Sequence, residues 1–300
     1  MSLEKEFKSG FAAIVGRTNV GKSTLLNRML GRKLAIMSDK PQTTRNKILG
    51  VFTREDFQLV FLDTPGFHKP KHELGEHLVQ VALGALKEVD LALFLVEADQ
   101  PPGTGDKYIV SRMSGLKTPV LLVINKIDLV RREELLPVVE AYNALYPFAE
   151  VVPVSALTGD NVDHLLDVIV GYLQPGPQYY PTEMITDRPE AFIMSELIRE
   201  KVLLLTSQEV PHSVAVVIED LEERANGVVA VRAVIYTEKD SQKGILIGKG
   251  GQMLKNIGRL AREEMEALFG SRFFLEMWVK VKADWRQKKS HLANFGYRDE

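Results

Sequence analysis

The chain has 300 residues, 45% hydrophobic and 26% charged, and no cysteine. That is room for about two packed domains of ordinary composition. It excludes a disordered, collagenous or coiled-coil chain, along with disulfides, thiolate catalysis and Cys-held metals. The net charge of −2 is unevenly spread: residues 1–50 carry ten Lys/Arg against three Asp/Glu, residues 151–238 five against fourteen, and residues 239–298 thirteen against six. Local basic stretches in a mildly acidic chain point to a polyanion site on one face, with a solvated helix face as the plainer alternative. No apolar run approaches the ~18 residues of a membrane span. The start, MSLEKEFKSG, lacks the apolar core of a secretory leader, so a cytoplasmic location is expected.

Residues 1–175 alternate apolar runs with amphipathic stretches. Strands are predicted at Phe11–Val15, Leu59–Leu62, Leu91–Val96, Val120–Ile124 and Val151–Pro153, with helical patterns such as Gly75–Leu86 and Leu135–Leu145 between them. Buried strands separated by helices imply βαβ units and a doubly wound, mostly parallel α/β sheet. Four prolines between Leu173 and Pro189 stop helix and central strand alike, so residues 176–189 read as a linker.

Residues 190–300 follow another pattern. A helix is predicted over Phe192–Leu205, a hairpin from Val214–Ile218 and Val228–Tyr236 through Asn226-Gly227, and a short helix near Ser241–Ile247. A strongly amphipathic helix to about Leu268 comes next, then an alternating strand over Leu275–Val281. The order αββααβ describes a smaller α+β domain.

The chemistry-bearing motifs sit at predicted strand ends. Gly16-Arg17-Thr18-Asn19-Val20-Gly21-Lys22-Ser23 fits G-x-x-x-x-G-K-[ST] after a strand and before a helix. Glycines at that spacing let backbone N–H groups wrap a phosphate at a helix N-terminus. Gly16, Asn19, Val20, Gly21 and Thr24 are expected around the phosphates, with Lys22 on the β and γ groups and Ser23 on Mg²⁺. Asp63-Thr64-Pro65-Gly66 follows the next strong strand. Asp63 would hold Mg²⁺ through water, and the Gly66 amide would bond the γ-phosphate.

Asn125-Lys126-Ile127-Asp128 follows Val120–Ile124. Asp128 can accept from guanine N1–H and its 2-amino group, whereas adenine N1 is itself an acceptor. The Lys126 stem would lie on the base, Asn125 would brace the loop, and Ser155-Ala156-Leu157 would offer the Ala156 amide to guanine O6. GTP is therefore the expected nucleotide. A metabolic P-loop kinase would leave Asn125–Asp128 without a role.

GRTNVGKS, QTTRN and DTPGF together resemble the Era family of translation-factor-like GTPases. The resemblance implies that Gln42-Thr43-Thr44-Arg45-Asn46 is the first switch, with Thr44 on Mg²⁺, so that Lys22, Thr44 and Gly66 act on the transferring phosphate. Phe67 stands where Ras-like enzymes keep a water-orienting glutamine, so slow intrinsic hydrolysis is expected. Similar GTPases with an apolar residue there hold K⁺ through a P-loop asparagine. Asn19 matches, though asparagine is also a plain turn former.

In the second domain Ile247-Gly248-Lys249-Gly250-Gly251 links two predicted helices. A G-x-x-G turn brings helix N-termini and bare backbone to a nucleic-acid strand, beside an apolar groove for bases. With SELIREKVLLLTSQEVPHS (195–213) it resembles a type II KH domain, the other half of the Era architecture. The resemblance implies binding of the 3′ end of 16S rRNA, a role in 30S subunit assembly, GTP/GDP and Mg²⁺ as cofactors, and an association with the inner membrane surface. Gly248, Lys249, Gly250, Gly251, Lys255 and Arg259 would meet RNA phosphates. Ile245, Leu246 and Ile247 either line the base groove or are core. Lys280, Lys282, Arg286, Lys288 and Lys289 would add backbone contacts or form a solvated end, while Trp278 and Trp285 read as core or interface. A rival function makes this half a module that docks on a protein or anionic membrane. A monomer is the default expectation.

Overall fold

A computed structural model describes residues 6–38, 40, 43–67, 73–207 and 210–297. It divides into two compact units. One takes the described residues of Met1–Ala35, Thr44–Lys71 and Gly75–Asp187, the other those of Ile36–Thr43, His72–Leu74 and Arg188–Glu300. Gln42 of the proposed first switch lies outside the described residues.

The first unit is a twisted sheet of β1 (Lys8–Gly16), β2 (Ile48–Thr53), β3 (Phe57–Asp63), β4 (Leu91–Glu97), β5 (Val120–Asn125) and β6 (Glu150–Pro153), in spatial order β2-β3-β1-β4-β5-β6. All neighbours are parallel except β2 and β3. The strands are apolar along their length because helices cover both faces, so β4 is buried from Leu91 to Val96. Those helices are α1 (Lys22–Leu30), α2 (Glu73–Ala85), α3 (Thr104–Met113), α4 (Arg132–Asn143) and α5 (Val162–Tyr172). Strand order reverses around β1, so the carboxyl ends of β1, β3, β4 and β5 converge on one edge. Ligands bind at such an edge in open α/β sheets.

Two strands escape the sequence pattern. The apolar run of β2 is interrupted by Gly50, where an added Cβ would lie 3.0 Å from the Leu30 side chain and 3.1 Å from that of Leu26. The other, β7 (Gln174–Pro175), pairs antiparallel with Lys8 and Ser9 of β1. The proline-rich stretch is thus no free linker. Buried Gln58 accepts the N–H groups of Tyr179 (2.8 Å) and Tyr180 (2.9 Å) on Oε1 and donates to the Tyr180 carbonyl (2.8 Å). Farther on, the Val51 N–H donates to the Ile185 carbonyl at 2.7 Å. Proline forbids helix and central strand, but it permits an edge pairing and side-chain clamps.

The second unit runs α6 (Glu190–Leu205), β8 (Ala215–Glu223), β9 (Val228–Thr237), α7 (Asp240–Ile247), α8 (Gln252–Phe269) and β10 (Arg272–Val281), the expected αββααβ order. Central β9 pairs parallel with β10 and antiparallel with β8. One sheet face and helices α6 and α8 share a core that includes Leu197, Ile198, Val231, Ile257, Ala261 and Met265. Lys201 of α6 is paired with Glu200 (2.7 Å) and with Glu264 of α8. A buried cation between two carboxylates fixes where these helices cross. After β10 the chain folds back through α9 (Lys289–Asn294). Trp285 is fully buried, its Nε1–H donates to the Ser213 carbonyl at 2.8 Å, and its ring meets Phe295 and Tyr297. Trp285 is therefore core, whereas Trp278 is 46% exposed.

Candidate functional site

The carboxyl end of β1 leads through residues 16–21 into α1, and this loop is built around close approaches. Gly21 has φ 98°, and a Cβ there would fall 2.2 Å from Asn125 Nδ2. Only glycine lets the loop pass so near the β5 end. Lys22 is buried, its ammonium donating to the carbonyls of Arg17 (2.7 Å) and Gly16 (3.3 Å). Burial pulls its pKa down to about 8 against the opposing charge of Asp63. Asn19 holds a left-handed conformation, φ 68°. Val20 is buried, and Thr24 sits in the first turn of α1.

Three oxygens meet beside Lys22. Ser23 Oγ lies 2.9 Å from Thr44 Oγ1 and donates to Asp63 Oδ2 at 2.9 Å, and Thr44 Oγ1 is 3.3 Å from the same carboxylate oxygen. The other oxygen, Asp63 Oδ1, is buried with no hydrogen-bond partner. Burial raises the Asp63 pKa to about 6, with Lys22, Ser23, Thr44 and the Thr64 amide pulling the other way. An orphaned carboxylate oxygen next to two hydroxyls suits a hydrated hard cation, so these side chains fit Mg²⁺. The three Mg²⁺ ligands expected from sequence, Ser23, Thr44 and Asp63, are thus brought together.

Gly66 packs on the P-loop, where an added Cβ would sit 2.8 Å from Thr18 Cα. The next residue, Phe67, donates its N–H to the Gly16 carbonyl at 3.1 Å and buries its ring in the core. The phenyl group is a packing element and does not face the phosphate site. Arg17 leaves the loop to pair with buried Asp106 at 3.1 Å, which also accepts the Gly103 N–H at 2.9 Å.

On the base side Asn125 is the hub. Its Nδ2 donates to the Val20 carbonyl at 2.8 Å and its Oδ1 accepts the Ala156 N–H at 2.9 Å. One buried amide thereby joins the P-loop, the β5 end and the loop after β6. Asp128 is exposed and accepts from Ser155 Oγ through one oxygen. Lys126, at φ 68°, is ion-paired with Glu97 at the end of β4. Glu97 and Arg28 were not expected from the motifs. Arg28 of α1 donates to the Ala156 carbonyl at 3.2 Å and to that of Leu157. No spacing rule marks them, because their partners lie 29 and more than 120 residues away.

The glycine turn of the second unit has the opposite character. Gly248 has φ 70°, and a Cβ there would lie 2.7 Å from Met253 Cβ, so this position requires glycine. Cβ atoms at Gly250 and Gly251 would meet nothing within 4 Å, so that side of the turn is open. Lys249 and Lys255 are exposed, and among the described residues neither forms an ion pair. Arg259 differs, since Glu263 accepts from it at 2.9 Å. Of the three apolar residues before the turn, Ile245 is 48% exposed, Ile247 is half-buried, and Leu246 is fully buried in the core. Leu246 is thereby withdrawn from the base-contact set: α7 turns it inward against β9 and α8. Lys280 is paired with Glu219 and Arg286 with Glu238, which removes two charges from the expected basic tail.

Fold and site together define a P-loop GTPase domain followed by a KH domain. Residues 11–126 match the family model described as 50S ribosome-binding GTPase, and residues 209–286 match the KH domain model. A solved structure of Era in complex with MgGDPNP and nucleotides 1506–1542 of 16S ribosomal RNA is 40% identical, with a TM-score of 0.95 over 98% of this chain and 100% of that one. A point variant of Aquifex aeolicus Era bound to GDP.AlF4⁻ matches with the same identity, coverage and TM-score. The chain belongs to the Era family of GTPases.

Proposed function

We propose that this protein is a GTP-hydrolysing switch whose KH domain binds single-stranded RNA at the 3′ end of 16S rRNA during assembly of the 30S subunit. The observation that carries the reading is the full-length likeness to an Era chain holding both MgGDPNP and 16S rRNA nucleotides. Both of this chain's own sites fit those ligands. Lys22, Ser23, Thr44 and Asp63 surround a place for Mg²⁺ and the γ-phosphate. Ser23, Thr44 and, through water, Asp63 would hold the metal, which would supply positive charge against the phosphates. Lys22 and the Gly66 amide stabilise charge on the transferring group, and Asn125 and Asp128 select guanine. Asn19 is the residue to hold K⁺, tested by comparing hydrolysis in potassium and in sodium.

In the KH domain the open glycines and unpaired Lys249 and Lys255 offer backbone amides and cations to phosphates, while Ile245 and Ile247 offer apolar surface to bases. Among the described residues no helix is long and apolar enough to cross a membrane. The tail gives little support to membrane docking, with Lys280 and Arg286 in ion pairs and Trp285 buried. Action in the cytoplasm, as a monomer, is the matching proposal.

The test is titration of fluorescent RNA carrying the 3′-terminal sequence of 16S rRNA into full-length protein, with GDP and with a non-hydrolysable GTP analogue. Selective binding over scrambled RNA, tighter with the GTP analogue and lost in Lys249→Asp, is expected. Equal weak binding to every RNA would sink the reading and favour docking on a protein or lipid surface.

A further inference from the structure

An unassigned cleft in the first unit lies between α4 and the loop after β4. It has a volume of about 450 Å³, with Pro101, Leu129, Pro137 and Val138 among its apolar walls and Asp99 and Glu134 as its charged members. The cleft is open because α4 is lightly seated, with Tyr142 the one buried residue of its twelve. Leu129, directly after Asp128, is 63% exposed, and so is Leu136 beside Pro137. Large apolar side chains left in water at a cleft of this size mark an interaction surface.

The cleft is also supplied with acceptors. Among the described residues the Asp99 carboxylate is exposed and has no partner. Glu134 accepts the Arg131 N–H at 2.7 Å, which holds its pKa down and keeps it charged at neutral pH. It meets the Arg131 side chain only at 3.4 Å, an exposed pair that a better donor can displace. Pro137 stands inside α4, where other residues donate an N–H to the carbonyl four places back. Proline has no N–H, so the Glu133 carbonyl lacks that donor. A residue that costs the helix stability thus lines the cleft and frees a backbone acceptor beside two carboxylates.

We infer that this cleft docks a basic protein segment, which inserts an arginine side chain between α4 and the loop after β4. A guanidinium carries five donors in a planar fork and no acceptor, the complement of two carboxylates and a carbonyl. Its aliphatic stem suits walls of proline, leucine and valine. Leu129 and Leu136 offer contacts to apolar residues on either side of that arginine. A free polyamine shares the charge but brings no flanking apolar side chains.

The experiment titrates full-length ¹⁵N-labelled protein, saturated with GDP, with the peptide acetyl-Gly-Leu-Arg-Leu-Gly-amide. Saturable shifts of the Asp99, Leu129 and Val138 amides are expected, with Lys249 of the KH turn unmoved. Citrulline in place of the arginine, a neutral isostere, should weaken binding about tenfold, the worth of a charge-assisted hydrogen bond. Asp99→Asn should cost about as much, and it leaves the fold alone because that carboxylate holds nothing. Pro137→Ala returns an N–H to the Glu133 carbonyl and should weaken binding about threefold. Equal affinity for the citrulline peptide, or unchanged affinity in Asp99→Asn, would mean that no cation is selected and overturn the inference. Spermine producing the same shifts as tightly would make this a polyamine site and overturn protein docking. An absence of shifts at these amides with about 10 mM arginine peptide would dispose of the cleft as a site.

Discussion

The nucleotide loop and the glycine turn of the KH domain both combine glycines, lysines and a helix N-terminus, the makings of a phosphate site, yet they are built differently. Around the nucleotide, Lys22, Thr44, Asp63 and Asn125 expose 6%, 5%, 0% and 2% of their surface, and each is held by another polar group. Around the KH turn, Lys249 and Lys255 stand in solvent, and two of the three glycines look into open space. A closed network selects one ligand, because removing a member leaves its buried partners unsatisfied. An open turn grips any phosphate chain that reaches it, so its lysines act nearly independently and yield to salt.

The contrast breaks most visibly at Lys22. Lys22→Ala should slow single-turnover GTP hydrolysis by about a thousandfold, since it removes the cation that meets developing phosphate charge in a dry site. If the loss is below about tenfold, the site is not the closed network described here. Next comes Gly248→Val, which meets both the Met253 clash and the positive φ. It should cost about 3 kcal/mol in denaturant unfolding, while Gly250→Val, facing open space, should cost about 1 kcal/mol. Equal costs would erase the distinction between a packed glycine and a ligand-facing one.

Smaller, and confined to the buried site, is a pH effect. The folded-state pKa of Asp63 is raised from 3.8 to about 6, so its contribution to stability is present below about pH 4 and lost as pH rises through 6. Comparing metal-free wild type with Asp63→Asn across that window should reveal a change of about 2 kcal/mol in their stability difference. Mg²⁺-dependent nucleotide binding should weaken as pH falls below 6, where the carboxylate takes up its proton. The smallest effects belong to the open turn. Lys249→Ala should reduce the slope of log K against log salt for RNA by about 1. Arg259→Ala, whose charge is already met by Glu263, should change that slope less and stability by under about 0.5 kcal/mol.

Much of this was legible because both domains announce themselves through short-range patterns. The five parallel strands of the first unit are continuous apolar runs, and each phosphate or base motif sits directly at a strand end, where local spacing carries the signal. The helix α8 and the alternating strand β10 were equally plain. What escaped depends on partners distant in the chain. The strand β2 hid behind Gly50, and β7 has two residues and a proline, below any periodicity. Arg28 and Glu97 matter only once the fold lays them against the base loops. Leu246 looked like its exposed neighbour Ile245, and only the turn of α7 tells them apart.

The hydrogen bonds of Gln58 bear on how this protein should be cut. The last helix of the GTPase sheet ends at Tyr172, which invites a fragment stopping at Pro175. Such a fragment would leave the Gln58 amide, fully buried against Tyr179 and Tyr180, facing water, and would strip the cover from the β2–β3 edge as far as Ile185. A GTPase fragment should instead run through Asp187, keeping the proline-rich segment as its outer seam.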